Sequence, residues 1–173
     1  MTAISETPQN INFLSPINFK FKIKKAPGIN FFIQKVTIPR LSLPSFDQQN
    51  PFTFIPKPGD HLTFSELSIT FKVDEDLKNY MEIYNWLVQM ARSRDSEQYV
   101  EIQNKSPMSG EGIYAEIELE VLSSKRSSNY AVVFEDAFPT SLGEVEFDTT
   151  LEDVQYVTAN ATFKYKLYRI EKI

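Results

Sequence analysis

A chain of 173 residues that is 42% hydrophobic and 13% aromatic holds enough apolar material for one packed core, and 14 Phe with 8 Tyr exclude a disordered polymer. Cysteine is absent, which excludes disulfides, thiolate nucleophiles and cysteine-based metal centres. A net charge of −5 argues against tight nucleic-acid binding, because that affinity rests on Lys and Arg neutralising phosphates.

No basic or apolar leader is visible at the start, and no uncharged apolar run is long enough to span a bilayer. The expectation is a product that stays in the cytoplasm unless an assembly carries it out, with no membrane insertion. Residues 1–12 are polar, contain Pro8 and lack periodicity, so they read as a flexible arm that orders on a partner, ahead of one domain over 13–173.

From Phe19 the chain alternates, with Phe19, Phe21 and Ile23 on one face and Lys20, Lys22 and Lys24 on the other, the period of a half-buried strand. Lys25-Ala26-Pro27-Gly28 predicts a turn, and the β-branched and aromatic stretch from Phe31 to Ile38 predicts a hairpin partner ended by Pro39. Residues 39–61 hold Pro39, Pro44, Pro51, Pro56 and Pro58, half of the chain's 10 prolines, together with Phe46, Phe52, Phe54 and Ile55. Proline at this density forbids a helix. A long apolar loop on a small domain is expected to dock on a neighbour, and Phe46, Phe52, Phe54, Ile55 and Pro58 are its candidate subunit-interface residues.

Leu62 to Val73 predicts one long strand, and Asp74-Glu75-Asp76 supplies acids suited to a helix N-terminus. Over 77–92, Leu77, Tyr80, Met81, Tyr84, Leu87, Val88 and Ala91 recur at helical spacing, widened by Ile83 and Trp86, and Arg92 and Arg94 suit the C-terminal end. Residues 93–112 read as a loop with a short strand at 99–102. Ile113 to Leu122 alternates, with Glu116, Glu118 and Glu120 on its polar face. Further strands are predicted at Tyr130 to Phe134, at Val145 to Asp148 and, as one long closing strand, from Val157 to Leu167, with 137–143 as a connection. The fold class expected is mainly β: two packed antiparallel sheets, sandwich-like or barrel-like, with one flanking α-helix.

Signals for chemistry are sparse. His61 is the only histidine and stands in a Pro-Gly-Asp-His turn; no nucleophile elbow accompanies it. The Gly110-x-Gly112 pair lacks the strand-turn-helix setting of a phosphate cradle. Carboxylates at every second strand position, as at Glu116, Glu118 and Glu120 or Glu144, Glu146 and Asp148, suit a solvated or cross-strand paired face better than an acid–base pair. Lys20, Lys22 and Lys24 are their basic counterpart, so a charge ladder, within a subunit or between subunits, is expected. No enzyme activity, cofactor or metal site is expected.

The order of strand, Pro-rich loop, long strand, one helix and several strands resembles the tail-tube fold of contractile-tailed bacteriophages over nearly the whole chain. The stretches that carry the likeness are Phe13-Leu14-Ser15-Pro16-Ile17-Asn18-Phe19, Ile38-Pro39 to Leu43-Pro44, Pro58-Gly59-Asp60-His61-Leu62, Phe71-Lys72-Val73-Asp74-Glu75-Asp76, and Ala137-Phe138-Pro139-Thr140 before Phe147-Asp148-Thr149-Thr150. They are similar to tube and baseplate tube-initiator proteins. The resemblance implies a structural subunit of the virion tail, assembled in the host cytoplasm into a homo-hexamer ring. It implies adjacent stacked rings, contacts with sheath or baseplate hub, and transient, non-specific passage of DNA. It also implies that the loop contacts a neighbouring subunit and that a Glu-rich strand face lines the lumen, where negative charge lets DNA slide. Repeated tube subunit and tube initiator are not distinguished. A type VI secretion-like tube protein and a small-ligand-binding β-barrel are the competing readings.

Overall fold

The computed structural model describes residues 11–91, 112–150 and 156–173. Among these residues eleven strands and two helices run in the order β1 (Phe19–Ile23), α1 (Pro27–Phe32), β2 (Ile33–Thr37), β3 (Leu41–Ser42), β4 (Ser45–Gln49), β5 (Phe54–Pro58), β6 (Thr63–Phe64), β7 (Leu67–Lys72), α2 (Lys78–Ala91), β8 (Ala115–Leu122), β9 (Ser128–Leu142), β10 (Thr158–Lys164) and β11 (Leu167–Lys172). The fold is mainly β and antiparallel throughout, as expected, with two helices among the described residues in place of one.

Strand β9 organises the molecule. Its first part pairs with β8 on one side and β11 on the other, and its last part pairs with β10. The strand order is therefore β1-β8-β9-β10-β7-β2, with β11 on the free side of β9. Asp136 marks the change-over with φ 53°, a left-handed conformation that a short polar side chain tolerates better than a branched one. We call β1, β8, β11 and the first part of β9 sheet A, and β2, β7, β10 and the end of β9 sheet B. The stretch 137–143, expected as a connection, is mostly the continuation of β9 into the second sheet.

Five other expectations are corrected. The hairpin expected at Lys25-Ala26-Pro27-Gly28 does not form: Pro27 opens α1, and β1 and β2 pair instead with β8 and β7, in different sheets. Proline at the first helical turn is as well placed as in a β-turn, which is why the tetrapeptide was ambiguous. The strand expected from Leu62 divides into β6 and β7, and that expected from Val157 divides into β10 and β11 around Tyr165-Lys166. Residues 143–148 carry no strand, so Glu144, Glu146 and Asp148 are not a strand face. The Pro-rich stretch is extended but builds its own hairpin from β4 and β5.

Helix α2 begins at Lys78 rather than Leu77 and runs to Ala91, the last residue described before the gap. Leu77 precedes it at φ 57°, and Arg92, Arg94 and the strand expected at 99–102 lie outside the described residues. Asp74 acts as the cap across four residues: its Oδ1 accepts the Asn79 N–H at 3.4 Å. The fully buried Asn79 donates from Nδ2 to Lys72 O at 2.8 Å, tying the end of β7 to the helix. Ile83 and Trp86 are buried one turn apart, whereas Met81 and Tyr84 are exposed, so the apolar stripe is narrower than its sequence suggests. Trp86 packs on Phe163 with centroids 6.1 Å apart, and its Nε1–H donates to Ile113 O at 2.8 Å. The same core cluster holds Phe134 and, from the strand faces predicted by alternation, Ile23, Ile69, Phe71 and Ile117, all fully buried.

Candidate assembly surfaces

The apolar residues of the Pro-rich arm lie outside the core. Strands β3 and β6 form its stalk, in the register Leu41↔Phe64 and Ser42↔Thr63. Beyond them β4 and β5 pair from Ser45↔Pro58 to Gln49↔Phe54. Every residue of both strands is exposed. Cross-strand partners share a face, so Phe46 and Ile55 lie on one face of the hairpin, and Phe54, Pro56 and Pro58 on the other. Phe52, at the tip, is 95% exposed. An isolated two-stranded hairpin with both faces in water is marginal by itself. At its base the Gly59 N–H donates to Pro44 O at 2.7 Å, and a Cβ on Gly59 would stand 2.7 Å from that oxygen. Only glycine permits so close an approach. His61 is exposed beside this base and is not grouped with other potential ligands; no cluster of three or more His, Cys, Asp or Glu suited to a metal ion occurs among the described residues.

Of the proposed charge ladder, the register brings Lys20 opposite Glu120 and Lys22 opposite Glu118. Lys22 Nζ lies 3.5 Å from Glu118 Oε2 and also contacts Glu120 Oε1; Lys20 Nζ is 4.0 Å from Glu120 Oε2. Glu120 is buried and accepts a further bond from Ser128 Oγ at 2.7 Å. The hydrogen bond from Lys22, then that from Ser128, holds its carboxyl below the usual range, and the same pairing raises Lys22. Lys24 lies one residue past the end of β1, and Glu116 is half-buried near the irregularity between Ala115 and Ile117. The face continues onto β11, where Arg169 Nε meets Glu135 at 3.0 Å and Glu171 at 3.3 Å. With Glu116 and Lys24 included, these named groups place five carboxylates against four cations on the outer side of sheet A.

Two features were not read from the sequence as candidate interfaces. Phe13, Leu14 and Ile17 are 97%, 70% and 81% exposed, an apolar segment whose composition matches that of the arm and was the available signal. Strands β1, β2 and β11 each pair with one strand among the described residues, leaving a backbone edge on each. Edges are a property of topology, and no residue pattern in the sequence announces them.

Known proteins resemble this chain over nearly its whole length. A family model described as phage tail tube protein matches residues 6–171. The tail tube terminator protein of Enterobacteria phage T4 is 27% identical over 171 residues, covering 95% of this chain and 92% of that protein. Among solved structures, the sheath-tube complex of an extracellular contractile injection system in its extended state superposes with a TM-score of 0.65 at 13% identity, over 94% of this chain and 95% of that one. The tube-terminating cap of the anti-feeding prophage does so with a TM-score of 0.62 at 11% identity over 100% of both chains. These two show a shared fold. With nearly its whole length matched, the chain belongs to the phage tail tube protein family, whose members are structural proteins and not enzymes.

Proposed function

We propose that this chain is a subunit of a contractile-type tail that closes into a hexameric ring, stacks coaxially on the inner tube and terminates it, leaving a lumen through which DNA passes. One observation carries the reading: a likeness to a tube terminator over 95% of this chain and 92% of that protein, in a subunit whose described residues leave an apolar hairpin exposed and three strands each paired on one side only. Uncovered edges and apolar patches are costly in a lone protein and are what an obligate assembly covers.

In this assembly residues 13–173 act as one tube domain, and residues 1–12 order on a partner. The 39–61 arm reaches a neighbouring subunit through Phe46, Phe52, Phe54, Ile55 and Pro58. The face of sheet A that bears Glu116, Glu118 and Glu120 faces the lumen, with Lys20, Lys22 and Lys24 at its border; its excess of carboxylate keeps phosphate from adhering. Sheath or baseplate hub proteins meet the outer surface, and assembly takes place in the host cytoplasm before the ring joins the virion tail.

Negative-stain electron microscopy of the concentrated protein, with solution mass alongside, tests this. Single rings that do not stack are expected, together with their capture at the ends of preformed tubes. Long tubes from this protein alone would assign it to the repeated subunit instead, and a monomer that ignores tube ends would overturn the proposal.

A further inference from the structure

Both strands of the arm's stalk are tied to one corner of the fold. Residue 39 leads into the stalk and residue 65 leads out of it; Ser65 N–H donates to Arg40 O at 3.0 Å between the two. Tyr165, in the two-residue break between β10 and β11, donates its phenol to Ser65 O at 2.7 Å. Tyr168, three residues on in β11, donates to Pro39 O at 3.4 Å. Each leg of the stalk thus gives one backbone carbonyl to one tyrosine. On the outgoing leg, Phe64 stacks edge-on against both rings, at 6.0 Å from Tyr165 and 5.5 Å from Tyr168. The rings rest in turn on the fully buried Phe134, at 5.0 and 5.7 Å, in the part of β9 that belongs to sheet A.

The position of this corner matters. Tyr165 stands where the chain leaves β10, in sheet B, and enters β11, in sheet A. A group anchored there is referred to both sheets at once. Among the described residues, none of the hairpin beyond the stalk belongs to the core or packs against it, and both its strands are exposed, so its direction is set at the stalk. Burial, followed by the neighbouring Tyr168, pushes the Tyr165 phenol up to about 12, which keeps it a donor at any pH the assembly meets.

We propose that Tyr165 and Tyr168 are positioning residues that hold the arm at a fixed angle to the two sheets, so that its apolar faces meet a second copy of this chain already oriented. The consequence for assembly rests on the tube reading above; the anchoring itself does not. Preorganisation matters here because an arm that swings must be ordered at the moment of docking, and that cost is subtracted from the affinity of every contact it makes.

The absence of cysteine makes the test direct. Thr53→Cys at the arm's tip and Lys125→Cys in the turn between β8 and β9 provide two spin-label sites on the full chain. Pulsed electron resonance reads their distance distribution, before and after Tyr165→Phe and Tyr168→Phe. Phenylalanine keeps the ring stack and removes only the hydroxyls, so the variants fold, which circular dichroism checks.

A narrow distribution in the parent that broadens in the double variant is expected, with ring formation weakened about tenfold, the scale of one hydrogen bond's worth of ordering. An unchanged distribution would overturn the anchoring. A broadened one with unchanged ring formation would overturn its role in docking. If the parent itself forms no rings, it is the tube reading that fails, and the distance measurement still decides the anchoring.

Discussion

Glu82 Oε2 lies 2.9 Å from the amide nitrogen of Gly28, so a side chain on α2 caps the first turn of α1. Helix α1 has no cap of its own: Ala26 precedes it with no side-chain bond, and Pro27 contributes no N–H. A carboxylate aimed at that end also meets the favourable pole of the helix. Gly28 leaves the space for it, since a Cβ there would stand 3.0 Å from Glu82 Oε2. Replacing Glu82 with Ala is expected to lower stability by about 1 kcal/mol, the scale of a lost cap, and Glu82→Gln by less, because an acceptor remains. Urea unfolding of the three proteins at one pH measures both.

The same residue gives a pH signature. Burial, only partly offset by the Gly28 bond, raises the Glu82 pKa above its ordinary value. Its contribution is full below the unfolded pKa and declines as pH rises through the folded one. Glu120 has the opposite sign: the bonds from Lys22 and Ser128 lower its pKa, so its contribution is present above the unfolded value and is lost as pH falls through the folded one. Urea midpoints measured across about pH 3 to 7, the range in which carboxyl groups titrate, are expected to fall less on the alkaline side in Glu82→Gln. In Glu120→Gln they fall less on the acid side. Parallel curves for the parent and both variants would refute the assignments.

What the sequence made legible follows from how local each signal is. Alternation located β1, β7 and β8 and their buried faces, because period two depends only on which side of one strand is dry. The charge ladder was legible in kind, since Lys20 and Lys22 match Glu118 and Glu120 in spacing, and the register made the contact intramolecular. The non-local steps were not legible. Nothing near Tyr165 says that β10 and β11 leave for different sheets, and nothing in Tyr130 to Phe134 says that β9 continues to Leu142. Glu82 capping a helix 54 residues away is equally invisible, because its spacing on α2 is that of an ordinary half-exposed acid. The arm's apolar content was plain; its hairpin register appeared only with the fold.

Reversal at Glu118 probes the ladder. Glu118→Lys places a third cation beside Lys20 and Lys22 and leaves Glu120 as their nearest carboxylate. Because Glu118 and Lys22 are partly exposed, the loss in the isolated subunit is expected to be at most about 1 kcal/mol. If this face serves only to hold β1 on β8, ring formation follows stability and Lys22→Glu in the same chain restores both. If the face lines a lumen, rings form normally in Glu118→Lys and retain DNA at low salt, where the parent releases it. Gel shift across a salt series, with rings counted by electron microscopy, separates the two.

The arm gives the prediction with the largest contrast between folding and assembly. Phe46 and Phe54 sit on opposite faces of a hairpin that buries neither, 54% and 68% exposed. Removing both rings therefore takes nothing from the core, and Phe46→Ser with Phe54→Ser is expected to move the stability of the subunit by no more than about 0.5 kcal/mol, as for other surface changes. Should these rings fill sites on a neighbour, each resembles an aromatic anchor whose truncation costs about 2 kcal/mol or more at an interface. Two such losses per contact, repeated around a closed ring, should abolish assembly at concentrations where the parent is fully associated. Sedimentation velocity on the parent and the double variant reads the outcome, with unfolding curves to show that the variant is intact. A stable variant that still forms rings would assign the arm to some other partner, and a destabilised one would show that the hairpin supports the fold in a way its exposure does not reveal.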